Sequence, residues 1–172
     1  SFYIFSRDYT NPLSAIEVVA ISDNDKVYAI HLHQKNQGEL FSEDSHSPQI
    51  MLYLSNYFYS SAPKICSNLK YTLRALSAHG IIPAHISGDI TLASYIKCSA
   101  DNHTLAAIIN RNIPNANLLS EEEYFGKGAK KIAWDYLEED QKQQLIRSYN
   151  EHLLSVHTII VKSLDKQEQL LY

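Results

Sequence analysis

The sequence has 172 residues, of which 45% are hydrophobic and 20% are charged, so we expect one well-buried domain and no second one. Its formal net charge of -4 excludes a strongly basic surface that would bind nucleic acid through phosphate contacts alone. The two cysteines are too few for a disulfide framework or a zinc site, and they predict two reduced core thiols of a cytoplasmic protein. The sequence contains no apolar run of about 18 residues and no signal peptide, so we expect no membrane partner.

The first part of the chain predicts strands and one helix. A short aromatic run is followed by two β-branched runs that a turn-forming Asp-Asn-Asp sequence joins, which is typical of a strand and a hairpin. A polar loop then leads to a helix that begins with a proline and to a brief buried strand. These elements are predicted at residues 2–5, 15–22 and 26–33 for the strands, 35–47 for the loop, 48–58 for the helix and 64–67 for the last strand.

The second part of the chain predicts mainly helices. Apolar spacing, with Gly80 and Pro114 as end signals, predicts three helices at 69–78, 89–97 and 103–110. We expect a loop over 115–129. Apolar residues at spacings of three and four then predict one long helix from about Tyr136 to the end. Strands followed by helices indicate an α/β domain with one mixed sheet.

Several segments resemble the 3'-5' exonuclease domain of bacterial DNA polymerase I. Residues 68–71, Asn-Leu-Lys-Tyr, are similar to the second exonuclease motif of that family. Residues 88–96 resemble its Asp-Thr-Met-Leu-x-Ser-Tyr-Ile helix, and residues 125–130 resemble its Gly-Lys-Gly loop. The order of the predicted elements is also that of the family. The resemblance implies an RNase H-like (DnaQ-like exonuclease) fold, with a central mixed β-sheet and flanking helices. It also implies that residues 1–172 are a single domain from a larger DNA polymerase I.

The resemblance further implies where the exonuclease site would lie. The family uses four carboxylates to hold two divalent metal ions. In this chain the first pair corresponds to Ser6 and Asp8, and the second motif places Thr72 at its acid position. The third motif, Tyr-x-x-x-Asp, corresponds to Tyr149 and Leu153. One carboxylate remains of four, so we interpret these five positions as degenerate and expect no metal and no cofactor in this domain.

The resemblance predicts a catalytically inactive domain that supports the polymerase domain of the same chain. It implies that the parent is a DNA-directed DNA polymerase, a nucleotidyltransferase of DNA replication and repair, and magnesium is expected only there. A contact with DNA is expected to be weak or indirect. The basic cluster of Lys127, Lys130 and Lys131 is the candidate for such a contact.

Two alternatives remain open from the sequence. The first is an active exonuclease with a rearranged site built from Asp8, Glu151 and His152, although Glu151 would lie about 200° away from Leu153 on a continuous helix. The second is a single-stranded nucleic-acid-binding module that uses the loop at 126–131.

Three further features have structural interpretations. Asp89, at a predicted helix start, is interpreted as a capping residue rather than a metal ligand. His31 and His33 alternate on a predicted strand and are interpreted as an exposed polar face. Trp134 is interpreted as a packing anchor.

Overall fold

The computed structural model describes residues 1–23, 26–32 and 48–172. Three strands in its N-terminal part form an antiparallel sheet in the order β1-β2-β3. They are β1 (Phe2–Ser6), β2 (Ile16–Ser22) and β3 (Val27–His31). All three strands are therefore confirmed. Residues 24–25 of the predicted turn, His33 and the predicted polar loop over 35–47 lie outside the described residues.

A second, parallel pair of strands consists of β4 (Lys64–Cys66) and β5 (Ile86–Asp89). The sequence predicted β4 but not β5, because β5 is only four residues long and runs directly into a helix. β1 contacts β4, so the antiparallel strands and the parallel pair are neighbours, as expected for a mixed sheet. Hydrogen bonds nevertheless divide the described strands into two small sheets rather than one.

Eight α-helices occupy most of the remaining described chain. In chain order they are α1 (Pro48–Tyr59), α2 (Leu69–Ala78), α3 (Ile90–Lys97), α4 (Leu105–Asn112), α5 (Glu121–Phe125), α6 (Glu139–Asn150), α7 (Leu153–Ser163) and α8 (Lys166–Leu171). The first four confirm the predicted helices. None of the helices in the described part of the chain combines the length and the hydrophobicity needed to span a bilayer.

Helix α5 corrects the prediction of a loop over 115–129. It is stabilised by a capping box, in which the Ser120 hydroxyl accepts a hydrogen bond from the Glu123 N–H at 3.3 Å. In return, Glu123 Oε2 accepts one from the Ser120 N–H at 2.7 Å. The Ser-x-x-Glu spacing that produces this box is visible in the sequence and predicts a helix start.

The predicted long C-terminal helix is three separate helices. α6 ends at Asn150 and α7 begins at Leu153, so the chain turns at residues 151–152. α8 starts after Asp165, whose carboxylate accepts hydrogen bonds from the N–H groups of Gln167 and Glu168, both at 2.8 Å. The apolar pattern continues across the break between α6 and α7 because both helices pack against the same core, whereas α8 has no buried residue.

Alternating side chains of β1 and β2 contact two hydrophobic cores. One core lies against the C-terminal helices and includes Phe5, Val18, Trp134 and Tyr149. The other lies against α1 and α2. The Trp134 ring is 5.6 Å from that of Phe5, so its predicted role as a packing anchor is confirmed.

The two cysteines differ in burial. Both are free thiols, Cys66 is buried and Cys98 is exposed, so the expectation of two core thiols is wrong for Cys98. Cys98 directly follows α3 at its exposed C-terminal end.

Candidate functional site

Ser6, which the sequence resemblance places at the first acid position of the family, lies at the end of β1. A register shift between Phe5 and Ser6 distorts the pairing of β1 with β2 at this point. The Ser6 side chain is only 1% exposed, and its hydroxyl has no hydrogen-bond partner. The buried hydroxyl of Tyr71, on α2, also lacks a partner. Burial raises the pKa of Tyr71; the Ser6 hydroxyl lies close enough to oppose this shift but does not have the geometry of a hydrogen bond. Neither hydroxyl therefore offers the negative charge that a carboxylate would provide to a metal ion.

Thr72 and Leu153, which the sequence resemblance places at two further acid positions, are both buried. Thr72 is buried in the first turn of α2, where its hydroxyl donates a hydrogen bond to the Ser67 carbonyl oxygen at 3.1 Å. Leu153 is 0% exposed and belongs to the core beside the C-terminal helices. A leucine side chain offers no oxygen to a metal ion, and the threonine hydroxyl carries no charge.

Tyr149 also lies in the core rather than at an open site. Its hydroxyl donates a hydrogen bond to the Leu119 carbonyl oxygen at 3.1 Å. Its ring packs edge-on against that of Tyr3, with 5.6 Å between the ring centroids. Burial raises the pKa of Tyr149, so its hydroxyl remains protonated.

A half-buried carboxylic acid that the sequence analysis missed, Glu121, lies beside these aromatic residues. The Tyr3 hydroxyl on β1 donates a hydrogen bond to Glu121 Oε1 at 2.7 Å. Burial raises the pKa of Glu121 to about 6, and the hydrogen bond from Tyr3 opposes this shift. The capping box of Ser120 and Glu123 predicts that Glu121 stands in a first helical turn. Nothing local in the sequence predicts that this turn packs against β1.

Asp8, the remaining acid of the family positions, is paired at the surface. It forms an ion pair with Lys131, and its side chain is 42% exposed. Asp8 Oδ1 also accepts hydrogen bonds from the N–H and the hydroxyl of Thr10, at 2.9 and 2.8 Å. Burial by itself would raise the pKa of Asp8, but the hydrogen bonds from Lys131 and Thr10 outweigh it and lower the pKa. The charge of this carboxylate is thus balanced by the protein itself.

A second ion pair lies next to Asp8 in the sequence. Arg7 Nε is 2.6 Å from Glu17 Oε1 and 3.8 Å from Asp135 Oδ2. Glu17 is buried on β2, and Arg7 provides the opposite charge that a buried carboxylate requires.

The alternative acid set of Asp8, Glu151 and His152 does not form a metal site. Glu151 lies 3.4 Å from Arg147 Nε and 3.5 Å from His152 Nε2. Among residues 1–23, 26–32 and 48–172, no three His, Cys, Asp or Glu side chains cluster so that they could hold a metal ion. The predicted angle between Glu151 and Leu153 assumed a continuous helix, which is wrong because the chain turns between them.

The three lysines of the predicted basic cluster are not equivalent. Lys127 Nζ lies 3.3 Å from Glu122 Oε2, and Lys131 pairs with Asp8. Lys130 is exposed and forms no ion pair with a described residue. Gly126 adopts a positive φ of 79°, and a side chain there would meet the Lys130 carbonyl oxygen at 2.6 Å. The loop is therefore closely packed, and two of its three cations are already neutralised.

Asp89 is a capping residue, as predicted. Its carboxylate accepts hydrogen bonds from the N–H of Thr91 at 2.9 Å, of Asn68 at 2.9 Å and of Leu69 at 3.0 Å. These donors lie at the first turns of α2 and α3, so one side chain satisfies the N-terminal ends of two helices.

Comparison with known proteins decides the family. The family "DNA polymerase I, ribonuclease H-like domain" matches residues 13–147, which is more than half of the chain. The chain belongs to this family. The matched residues include Thr72, whereas β1 and α7 lie outside the match, so Ser6, Asp8 and Leu153 are assigned from the sequence resemblance and their place in the fold.

Several solved structures match this chain, and one of them illustrates the similarity of the fold. It is described as the POL domain of Pol1 from M. smegmatis in complex with a DNA primer-template and dNTP. The two chains are 12% identical with a TM-score of 0.59, and the match covers 98% of this chain. The chain spans 24% of the length of that polymerase chain. A search of curated proteins found no match. The RNase H-like fold that the resemblance implied is confirmed.

Proposed function

We propose that this chain is a catalytically inactive 3'-5' exonuclease-like domain of a DNA polymerase I and that it supports the polymerase domain structurally. The proposal rests on which residues stand at the four positions that the family resemblance assigns to carboxylates. Ser6, Thr72 and Leu153 are buried and carry no charge, and Asp8 is paired with Lys131.

The chemistry of the family explains why this occupancy matters. Two-metal hydrolysis requires carboxylates that hold one ion for the attacking water and one for the leaving oxygen. Magnesium binds such sites through several oxygen ligands in a near-octahedral arrangement. Loss of a single transition-state donor already lowers a rate by a factor of about 100. A site that lacks three of four carboxylates therefore has no means of assembling the two ions, and magnesium is assigned to the polymerase domain alone.

The proposed partners are the polymerase domain of the same protein and, weakly or indirectly, DNA. The similar structure contains a polymerase with a primer-template, which supports this assignment. A strong direct contact with DNA is disfavoured, because the net charge is -4 and Lys127 and Lys131 are ion-paired. We place the protein in the cytoplasm, where DNA polymerase I of bacteria works.

A nuclease assay tests the proposed inactivity. The purified chain is incubated with 3'-labelled single-stranded DNA and either Mg²⁺ or Mn²⁺. We expect no release of mononucleotides above that of an Asp8→Ala variant purified in parallel. Mononucleotide release that Asp8→Ala abolishes would show an active site and overturn the proposal.

A metal-binding measurement distinguishes a domain that binds no metal ion from one that binds metal ions but cleaves DNA too slowly to detect. Titration of the chain with Mn²⁺ in a calorimeter is expected to give no heat beyond dilution. Saturable binding that Asp8→Ala or Glu151→Gln removes would identify a rearranged metal site.

A further inference from the structure

The acidic residues of the chain are unevenly distributed. All 19 of them lie outside residues 45–88, which we call the acid-free segment. Its described part, residues 48–88, contains α1, β4, α2 and most of β5. The basic residues of this segment are Lys64, Lys70 and Arg74, so its formal charge is positive although the whole chain carries -4. The protein therefore has one region whose charge is opposite to its net charge.

The acid-free segment forms one layer of the domain. Apolar residues of α1, α2 and β4, among them Phe58, Leu76 and Cys66, pack into the core on one side of β1 and β2. The helices α5 and α6, whose first turns are acidic, contribute Tyr124 and Leu145 to the core on the other side. One sheet therefore separates a layer that contains no acid from a layer that contains acidic helices.

The exposed positive charge of this layer is concentrated on α2. Lys64 is only 1% exposed, and its ammonium group donates hydrogen bonds to the carbonyl oxygens of Ser60 and Ala62, both at 2.8 Å. Lys70 and Arg74 are instead exposed, and they lie on the same face of α2 because residues four apart are neighbours on a helix surface. Neither forms an ion pair with a described residue.

This face of α2 is distinct from the position that the family resemblance assigns to an acid. Thr72 stands between the two cations in the sequence and is buried. Residues two apart on an α-helix are separated by about 200°, so Lys70 and Arg74 lie on the side of α2 opposite to Thr72. Asp89, whose carboxylate lies at the start of α2, binds backbone N–H groups and forms no ion pair with either cation.

The chemistry of the exposed face of α2 fits a phosphate backbone. Lysine and arginine side chains bind nucleic acid phosphates through charge, independently of the base sequence. The exposed residue between the two cations, Leu73, is aliphatic, so this face of α2 offers charge and no aromatic ring on which an unpaired base could stack. An acidic protein surface is a second possible partner for two cations. Membership of a DNA polymerase family favours nucleic acid.

We propose that the exposed face of α2, through Lys70 and Arg74, is the surface with which this domain contacts the phosphate backbone of DNA. The proposal deepens the weak contact with DNA in the proposed function and rests on it, but it does not depend on whether the domain cleaves DNA. It assigns the contact to α2 instead of the loop with Lys127, Lys130 and Lys131, in which two of the three cations are ion-paired.

A titration followed by NMR tests this surface. The ¹⁵N-labelled chain is titrated with a short DNA duplex and, separately, with one of its strands, in EDTA so that no metal-dependent cleavage occurs. We expect the amide signals of α2 to shift with either form of DNA. The affinity should fall about tenfold between about 50 and 200 mM salt, as two phosphate contacts predict. Because no metal ion is present, this result is independent of the nuclease assay that tests the proposed inactivity.

Two pairs of substitutions make the result specific. Lys70→Gln combined with Arg74→Gln should abolish both the shifts of α2 and the salt dependence, and each single change should reduce the slope of log affinity against log salt by about one. The matched control, Lys142→Gln combined with Arg147→Gln, removes two cations from α6 that are already ion-paired and should leave binding unchanged. Both double variants should keep the amide spectrum of the unchanged protein outside the substituted helix.

Three results would overturn the proposal. The first is the absence of shifts in α2 on addition of DNA, including the case in which only another part of the chain responds. The second is unchanged binding by the variant that lacks Lys70 and Arg74. The third is an equal response of α2 to poly-L-glutamate at the same concentration of charge, which would assign this face to an acidic protein surface.

Discussion

The ends of β1 and β5 each carry an aspartate, and the two aspartates have different roles. Asp8 lies just beyond β1, is 42% exposed and pairs with the flexible side chain of Lys131. Asp89 ends β5 and accepts hydrogen bonds from three backbone N–H groups at the starts of α2 and α3. The comparison shows that the structural role of each carboxylate depends on the hydrogen-bond donors around it and not on its position near a strand end.

The surroundings of the two strand ends differ in the same way. Ser6, Thr72 and Leu153, which the family resemblance assigns to acid positions, are buried and uncharged. A half-buried acid, Glu121, accepts a hydrogen bond from the Tyr3 hydroxyl of β1. At the end of β5, by contrast, the single carboxylate of Asp89 accepts hydrogen bonds from several backbone N–H groups. Of the two aspartates, only Asp89 accepts hydrogen bonds from the first turns of two helices.

The largest expected effect comes from placing an acid at position 153, where the family resemblance would expect an aspartate. Leu153→Asp places a carboxylate at a position that is 0% exposed. We expect a loss of about 4 kcal/mol in the free energy of unfolding, because the variant loses buried apolar volume and gains an unpaired buried polar group. Urea unfolding followed by circular dichroism measures it.

The matched control for this change is Ser155→Asp, which adds the same side chain at an exposed position of α7. Its effect should stay within about 0.5 kcal/mol. Equal stability of Leu153→Asp and Ser155→Asp would mean that the family site is open to solvent and not closed by the core.

The next effect compares the two aspartates directly. Asp89→Ala leaves the Leu69 and Thr91 N–H groups without an acceptor, whereas the Asn68 N–H keeps the Thr91 hydroxyl, and the variant should lower the free energy of unfolding by about 2–3 kcal/mol. Asp8→Ala removes an exposed ion pair and should cost about 0–1 kcal/mol. Both are measured by urea unfolding at pH 7. Equal destabilisation of the two variants would show that Asp8 and Asp89 contribute equally to stability and would contradict this comparison.

A smaller, pH-dependent effect is expected at Glu121. Burial raises its pKa from 4.5 to about 6 in the folded protein, so the folded state binds the proton more tightly than the unfolded state. The stability that this provides is complete below pH 4.5 and is lost as the pH rises through 6. The loss amounts to about 2 kcal/mol at pH 8, at about 1.4 kcal/mol per pKa unit.

Substitution of Glu121 by glutamine removes this dependence. Glu121→Gln still accepts the hydrogen bond from Tyr3, so it should be more stable than the unchanged protein at pH 8 and equal to it near pH 4. Thermal unfolding over this pH range measures the difference. Glu122→Gln, at the exposed neighbouring position, is the control and should leave the pH profile unchanged. A Glu121→Gln profile that parallels that of the unchanged protein would contradict the burial of this acid.

Local sequence patterns predicted much of the fold. β-Branched runs predicted β2 and β3, and the apolar spacing together with Gly80 predicted α2, because these signals act within one turn or one strand. Asp89 was correctly interpreted as a cap for the same reason: the Thr91 N–H that it binds is two residues away. The patterns failed for β5, which is too short for an alternation to be visible, and for the breaks after α6 and α7, where the apolar spacing continues through the turns.

The amino-acid sequence by itself determined that serine, threonine and leucine stand at the positions which the family resemblance assigns to acids, because residue identities are visible without coordinates. Only the tertiary structure decided which partners the charged side chains around these positions have. Lys131 reaches Asp8 across 123 positions of the chain, and Tyr3 reaches Glu121 across 118. Contacts of this kind depend on how strands and helices pack, which no local pattern of residues specifies.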